Sequence, residues 1–400
     1  MTFSGGVAPR GPDGIEEVDG DVARNPGQGR SAAGAPATIS DVAAAAGVSR
    51  QTVSNVVNVP ERVGAETRER VQRVIAELDY RPNRLARSLR ASSPGMVGYR
   101  IQPVVSGSVA SVQDGFLHAL AEAGRASDRH VLLFTADGPE DESEYCQSLW
   151  RSGTVSSVVL YDIAPHDERP GRLAAAGVPF AAFGRTAAGT EAYSWVDVDN
   201  AAGVSAAVDH LVSGGHGRIG FLGWPEGTSV GDARAQGWVT AMDRNGLLAD
   251  SHRLDVRGPD TMADGTRLMA ELLDRPKPPT AVVAATDTLA VGALQALRDR
   301  GVRPGQDVGV VGFDDTAAAA ALGLSSVRQP IQEVGRTIMA ELLRLTTGTK
   351  KETEASQRAE ARGKNEAKER ASGPDESSGP LQLLLEPELV VRSSSTPAAR

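Results

Sequence analysis

Three polar side chains at short spacing carry the clearest chemistry in this sequence. Arg50, Gln51 and Asn55 lie within TISDVAAAAGVSRQTVSNVVN, residues 38–58. Guanidinium and amide groups can form paired hydrogen bonds with base edges in the DNA major groove. Gln51 and Asn55 are four residues apart and therefore share one face of a helix. An ordinary helical hairpin with a polar face would show the same spacing, so these residues alone leave both interpretations open.

Three short helices would position these side chains. The pattern predicts a first helix from about Ser40 to Ala46, a tight turn at Gly47, and a second helix from the N-cap Ser49 to about Asn58. The inward-facing apolar residues of these two helices are Val42, Ala43, Ala46, Val48, Val53, Val56 and Val57. A third amphipathic helix is predicted over residues 65–79. Its apolar stripe consists of Val71, Val74, Ile75 and Leu78.

Residues 80–95 follow with several arginines and no acidic residue. The arginines recur at every third position, which keeps them near one side of a helix. They are Arg81, Arg84, Arg87 and Arg90. The whole chain has a net charge of −9, so this positive run is not background composition. It fits a helix lying against phosphates, and a solvated basic linker is the alternative.

Residues 38–90 resemble the DNA-binding headpiece of the LacI/GalR family of bacterial transcription regulators. The matching residues are Thr38-Ile39, Asp41-Val42-Ala43, Ala46-Gly47-Val48-Ser49, Thr52-Val53-Ser54, Asn58, Thr67-Arg68, Tyr80, Pro82-Asn83 and Ala86 to Leu89. The resemblance implies DNA contacts from a helix-turn-helix domain over 38–82, through Ser49, Arg50, Gln51, Thr52, Asn55 and Tyr80. It also implies a hinge helix over 83–93 that places Asn83, Ala86 and Leu89 at the minor groove, with Leu89 as the apolar wedge.

Length and composition indicate a cytoplasmic protein of two or three domains. The chain has 400 residues and a single cysteine, Cys146, so we expect neither a disulfide framework nor a cysteine-rich metal site. Residues 1–37 are rich in Gly, Ala and Pro, and we predict a disordered tail there, not a signal peptide. No apolar stretch reaches the roughly 18 residues that a membrane span needs. We predict no cofactor.

From residue 96 onward, short apolar runs alternate with amphipathic stretches, which predicts an α/β fold with parallel sheets and helices on both faces. The predicted strands cover 96–101, 130–135, 157–161, 179–183, 219–222, 281–285 and 308–313. The predicted helices cover 109–124, 140–152, 201–214, 232–245, 262–274, 288–300 and 331–347. The alternation restarts after about residue 200, which suggests two similar lobes. Ligands of such folds bind beyond the carboxyl ends of the strands.

The same resemblance continues through PFAAFGR (179–185), HLVSGGHGRIGFLG (210–223) and DVGVVGFDD (307–315). It implies a two-lobed, periplasmic-binding-protein-like effector and dimerisation domain over 94–393. The implied protein is a homodimer or tetramer that binds pseudo-palindromic double-stranded operator DNA. It would repress carbohydrate-use genes and be released by a small-molecule effector, a sugar. Residues 348–382 depart from the family, since they are charged and almost free of large apolar residues. We predict a surface insertion there that is disordered or forms a loose helix in its middle.

The strand ends and the resemblance together select candidate effector-binding residues. They are Arg185, Thr228, Ser229, Arg234, Thr286, Asp287, Asp314 and Gln329. The Arg234 guanidinium can grip two vicinal hydroxyls or a carboxylate, and Asp314 can accept hydrogen bonds from sugar hydroxyls. Four of the candidates have a structural alternative: a surface position for Arg185 and Arg234, a turn or helix cap for Asp314, and a helix cap for Asp287.

Other functions remain as alternatives. Ser229 lies in GTSVG, which fits the nucleophile elbow of a serine hydrolase, but only His252 follows it, too close for the usual arrangement. Asp197 and Asp199 suggest a metal, yet no further carboxylate or histidine cluster completes a site. A solute-binding protein would need an export signal and no headpiece. Within the regulator class, the effector is alternatively a purine, a nucleoside or a phosphorylated co-regulator partner.

Overall fold

The computed structural model describes residues 37–80, 95–102, 112–186, 191–250, 254–361 and 379–396. The chain divides into two compact units that meet in sequence at residues 87 and 88. The predicted hinge helix at 83–93 and nearly all of the predicted tail at 1–37 therefore lie outside the described residues.

The described residues of the first unit form three α-helices, as the sequence predicts: α1 (Ile39–Ala46), α2 (Arg50–Asn58) and α3 (Ala65–Glu77). The N-cap of α1 is Thr38, however, and not Ser40. Thr38 and Asp41 form a reciprocal capping box, which satisfies two free N–H groups where a single serine would satisfy one. Gly47 ends α1 with φ +64°, the left-handed conformation that makes the tight turn before α2.

The core of this unit takes one fully buried valine from each helix, namely Val42, Val53 and Val71. Leu78 departs from its predicted place on the apolar stripe, because α3 ends at Glu77 and the helical periodicity stops there. Its side chain is 38% exposed. With the apolar residues turned inward, the polar residues at the start of α2 are left on the surface.

The second unit contains two six-stranded sheets. The first consists of β1 (Met96–Arg100), β2 (His130–Phe134), β3 (Ser157–Tyr161), β4 (Phe180–Phe183), β5 (Trp195–Val198) and β11 (Gln382–Leu385), in the order β11-β5-β4-β3-β1-β2. The second consists of β6 (Ile219–Gly223), β7 (Asp255–Arg257), β8 (Ala281–Ala284), β9 (Gly309–Phe313), β10 (Ser325–Arg328) and β12 (Glu388–Val390), in the order β12-β10-β9-β8-β6-β7. All pairs are parallel except β10 with β12.

Helices cover these sheets: α4 (Val112–Ala126), α5 (Pro139–Arg151), α6 (Arg169–Ala175), α7 (Asn200–Ser213), α8 (Ser229–Arg244), α9 (Met262–Leu273), α10 (Asp287–Asp299), α11 (Ala317–Ala321) and α12 (Ile331–Ala361). The seven predicted strands and seven predicted helices are all present. The sequence did not predict β5, β7, β10, β11, β12, α6 and α11.

Each sheet defines a lobe, and the two predicted lobes are confirmed. They are not consecutive in sequence, because the chain crosses from one to the other after β5, after β10 and between β11 and β12. After the second crossing α12 packs against α4 and β4 of the first lobe. The restart of the strand–helix alternation near residue 200 marks only the first crossing. The later crossings depend on pairing between distant segments, which a local pattern does not show.

Helix α12 was expected to end near residue 347 but continues to Ala361, into the predicted surface insertion. Residues 350–361, KKETEASQRAEA, are mostly good helix formers, which favours continuation of the helix. Residues 362–378 of that segment lie outside the described part of the chain. Within the described ranges, no helix combines the length and apolarity that a bilayer crossing requires.

Candidate functional site

The carboxyl ends of strands from both lobes face one cleft of about 590 Å³. Tyr161 and Phe183 stand at the ends of β3 and β4 in the first lobe, whereas Trp224, Thr286 and Asp314 follow β6, β8 and β9 in the second. A cleft of this volume is within the range that binds small molecules. The sequence-based expectation of a ligand site beyond the strand ends is therefore met by a cavity at that place.

Arg234 lies on α8 in the wall of this cleft and is only 3% exposed, so it is not a surface arginine. Its Nε donates to Asn200 Oδ1 at 2.9 Å, and its Nη1 donates to the carbonyl oxygen of Ala285 at 2.5 Å. Its Nη2 lies 3.6 Å from Asp314 Oδ1, and the guanidinium stacks 3.7 Å above the Phe313 ring. Burial lowers the pKa of Arg234, while the charge of Asp314 acts in the opposite direction.

Two features of α8 hold Arg234 in place. A Cβ at Gly237 would lie 2.4 Å from the carbonyl oxygen of Ala201, so only glycine allows α7 and α8 to approach this closely. Thr228 caps α8 by accepting a hydrogen bond from the Gly231 N–H and does not line the cleft. Ser229 does line it, and its buried hydroxyl has no hydrogen-bond partner within the described ranges.

Asp314 follows β9 and adopts φ +108°, a region that non-glycine residues rarely occupy. Gln329, from the second crossing between the lobes, donates from Nε2 to Asp314 Oδ1 at 2.7 Å. Burial raises the pKa of Asp314 to about 7, although the nearby Arg234 acts to lower it. Strained backbone of this kind concentrates at functional sites.

Thr286 and Asp287 have different roles. The Thr286 hydroxyl faces the cleft and donates to Asp260 Oδ1 at 2.5 Å. Asp287 is fully buried and does not line the cleft, because its oxygens accept from the Thr316 N–H at 2.7 Å and the Ser326 hydroxyl at 2.6 Å. Asp287 therefore has a structural role in place of the effector contact that the sequence predicted. The helix cap is Thr286 and not Asp287.

The first-lobe wall carries a second arginine and carboxylate. Arg185 Nε donates to Asp197 Oδ2 at 3.3 Å, and the guanidinium lies 5.2 Å from the centre of the Trp195 ring. Burial raises the pKa of Asp197 to about 6. Asp199 instead caps α7 through the Ala202 N–H. In the described part of the chain, no group of three or more potential metal ligands is present.

The cleft also contains residues that the sequence did not single out. They are Tyr161, Asp162, Asn200, Trp224 and Asp260. The end of the predicted strand 157–161 was a usable signal for Tyr161 and Asp162. Asp260 follows β7, which has three residues and no recognisable period, so the sequence offered no signal for it.

The headpiece presents its own candidate surface. Arg50 and Gln51 are exposed on α2, and Gln51 Nε2 donates to Asn55 Oδ1 at 3.1 Å. Ser49 caps α2 by accepting from the Thr52 N–H at 3.1 Å, as predicted. Tyr80 packs half-buried against the headpiece core. Three further candidates, Asn83, Ala86 and Leu89, lie outside the described residues.

Each of the two units matches a known protein family. The sequence model for bacterial regulatory proteins of the lacI family matches residues 38–83, and that for a periplasmic binding protein-like domain matches 208–363. The HTH-type transcriptional regulator CelR of Thermobifida fusca is 35% identical over 79% of this chain and 93% of its own length. The chain belongs to the lacI family. The predicted family, fold class and DNA-binding regulator function are confirmed.

Solved structures agree with this lacI-family assignment. The lac repressor dimer bound to operator and the anti-inducer ONPF matches with a TM-score of 0.74 at 26% identity, covering 90% of this chain and 100% of that one. A CelR–cellobiose complex matches with a TM-score of 0.62 at 31% identity, covering 90% and 99%.

Proposed function

We propose that this lacI-family regulator is a dimeric repressor of carbohydrate-use genes that leaves its operator when a neutral sugar binds between the lobes. The pairing of Arg234 with Asp314 in the cleft carries the proposal. A guanidinium donor beside a carboxylate acceptor suits neighbouring hydroxyl groups. The relative crystallised with cellobiose and the relative seen as an operator-bound dimer support it.

The charge of the cleft favours a neutral effector over a phosphorylated one. Its described lining contains two arginines, Arg185 and Arg234, and both already face carboxylates. The aspartates of the lining are Asp162, Asp197, Asp199, Asp232, Asp260 and Asp314. Carboxylates in this excess would repel a phosphate, whereas sugar hydroxyls can donate to them. The volume of about 590 Å³ leaves room for an effector of disaccharide size.

A ligand that contacts both walls would favour one arrangement of the lobes over another. Arg234 and Asp314 belong to the second lobe, and the Arg185–Asp197 pair belongs to the first. The effector regulates the protein only if the arrangement it favours has a different operator affinity. A repressor released by sugar therefore needs weaker operator binding in the sugar-bound arrangement.

The effector part is tested by operator release. A random-sequence library enriched on the full-length protein supplies the operator, which we expect to be a pseudo-palindrome. Operator binding is then measured with cellobiose, lactose, maltose, sucrose and trehalose, and with nucleosides and sugar phosphates. We expect at least one neutral disaccharide to weaken binding. Release by a sugar phosphate or nucleoside alone, or stronger DNA binding with ligand, would contradict the proposal.

The headpiece part is tested by Gln51→Ala. Loss of one paired amide–base contact should weaken specific binding by about 5- to 150-fold, which corresponds to about 1–3 kcal/mol. Gln72→Ala on α3, where Gln72 is also exposed, is the matched control and should leave binding unchanged. Equal effects of the two variants would show that α2 is not the reading helix.

The proposed function needs no catalytic step. Ser229 is the first residue of α8, and no histidine is among the described residues that line the cleft. His252 lies outside the described residues. Ser229→Ala should preserve operator binding in the absence of effector. Hydrolysis of an ester substrate by the wild type, abolished in Ser229→Ala, would instead support the hydrolase alternative.

A further inference from the structure

Four charged side chains form a buried ion cluster behind the first-lobe wall. We call Arg100, Glu142, Asp167 and Arg169 the Arg169 cluster. Arg169 pairs with Glu142 at 2.7 Å and with Asp167 at 2.6 Å, while Arg100 pairs with the same Glu142 oxygen at 2.9 Å. Except for Arg100, at 12%, each of these side chains is at most 4% exposed. None of the four lines the cleft.

The cluster nevertheless reaches the cleft through the main chain. Arg169 Nη2 donates to the carbonyl oxygens of Tyr161 at 3.2 Å and Asp162 at 2.8 Å, and both of these residues line the cleft. Arg100 Nη2 donates to the carbonyl oxygen of Ala136, just beyond β2, at 3.1 Å. The cluster therefore ties together the carboxyl ends of β1, β2 and β3.

The Asp162 backbone particularly needs such support. Its φ of +57° is left-handed, which costs free energy unless surrounding contacts hold it. The two carbonyl groups that accept from Arg169 belong to the peptides on either side of the Asp162 Cα. These hydrogen bonds satisfy two main-chain acceptors at the carboxyl end of β3.

Both partners of the central ion pair stay charged. Burial acts to raise the pKa of Asp167, but the hydrogen bonds and charge of Arg169 outweigh it and hold that pKa below its usual value. Buried ion pairs are often no more stabilising than apolar residues of the same size, so stability alone does not explain the cluster. A fixed geometry at a binding wall lowers the ordering cost of ligand binding, which gives the cluster a functional reason.

We propose that Arg169 is a positioning residue for the effector cleft, which holds the main chain of Tyr161 and Asp162 in place without touching the effector. Its consequence for effector affinity rests on the proposed function. Without Arg169 the first-lobe wall must be ordered when the effector binds, so affinity for the effector falls. Operator affinity without effector stays the same, because the headpiece is unaltered.

Hydrogen exchange on the effector-free, full-length protein tests the positioning directly. Arg169→Met should accelerate exchange about tenfold or more in peptides covering 157–166 and leave second-lobe peptides unchanged. Arg172→Met is the matched control, since Arg172 lies on the same helix and forms exposed ion pairs with Glu140 and Glu168. Unchanged exchange in 157–166, or a uniform increase throughout the first lobe, would overturn the proposal.

Operator release by cellobiose, or by whichever disaccharide of the panel is active, tests the functional consequence. Arg169→Met should raise the half-maximal sugar concentration about tenfold while effector-free operator affinity stays within twofold. A general loss of structure would instead weaken the sugar response and the effector-free operator affinity together. Arg169→Lys keeps the charge but lacks the planar fork, so it should not restore the response. Full rescue by lysine would overturn the positioning role.

A milder variant covers the case in which Arg169→Met does not fold. Asp167→Asn keeps the shape but weakens one anchor of Arg169, and it should change exchange and sugar response in the same direction by a smaller factor. No change in exchange at 157–166 would count against the proposal. If no sugar releases the wild type from its operator, the proposed function fails, and the exchange experiment still decides the role of Arg169.

Discussion

Arg169 and Arg234 lie in the two lobes and look alike by burial, since each is 3% exposed and each donates to a main-chain carbonyl oxygen. Their electrostatic surroundings are opposite. Arg169 has two carboxylates within 2.7 Å, and although burial acts to lower its pKa, these partners raise it. Arg234 has one carboxylate, Asp314, at 3.6 Å, and burial lowers its pKa.

This difference distinguishes an arginine whose hydrogen bonds are made within the protein from one that has a group available to a ligand. The acceptors of Arg169 all come from the chain itself, so its geometry is set before any effector arrives. Arg234 keeps a loosely paired Nη2 group that faces the cleft. Hydroxyl oxygens of an effector can complete its coordination, and binding then relieves part of the cost of burying its charge.

The strongest test of the comparison is Arg234→Met. Removal of the charged donor that we propose contacts the effector should weaken the sugar response about 100-fold, since hydrogen bonds to charged groups contribute about 1.5–3 kcal/mol each. Effector-free operator affinity should not change. The readout is sugar-induced release of operator DNA.

The control for this variant is Arg244→Met, on the same helix. Arg244 is 55% exposed and pairs with Asp209 at the surface. Its loss should leave the response intact. If Arg234→Met weakened the sugar response no more than Arg169→Met does, the distinction between Arg234 and Arg169 would be lost.

A smaller effect is expected from pH, because Asp314 has a pKa of about 7. The carboxylate form accepts sugar hydroxyls best, so effector affinity should fall as pH decreases through 7. Between pH 8 and pH 6 the charged fraction drops from about nine-tenths to about one-tenth, which predicts about a tenfold loss. Titration of sugar-induced release at each pH measures it.

Asp314→Asn should flatten most of this dependence, although Asp197, with a pKa of about 6, titrates in the same direction. Affinity of this variant at pH 8 should approach that of the wild type at pH 6. A pH dependence of the same size in the variant would assign it to another group.

The same two arginines show what the sequence can and cannot predict. Arg234 was predicted because it follows the predicted strand 219–222 and the family resemblance marks its position. Arg169 was not, because its acceptors include Glu142 and the carbonyls of residues 161 and 162, which no local pattern connects to it. Its helix, α6, has only seven residues and no clear apolar stripe. Local periodicity therefore predicted the headpiece and the strand ends, whereas contacts between distant segments were missed.

The smallest expected effect concerns Asn200, which holds the Nε of Arg234 at 2.9 Å. Asn200→Ala removes one neutral acceptor, and a loss of about fivefold in sugar response is expected, corresponding to about 1 kcal/mol. Asn245→Ala, just after α8, is the control and should have no effect, because its amide donates to Asp209 and Ala241, neither of which lines the cleft. If Asn200→Ala were as damaging as Arg234→Met, then Arg234 would depend on protein acceptors as Arg169 does, and the contrast between the two arginines would fail.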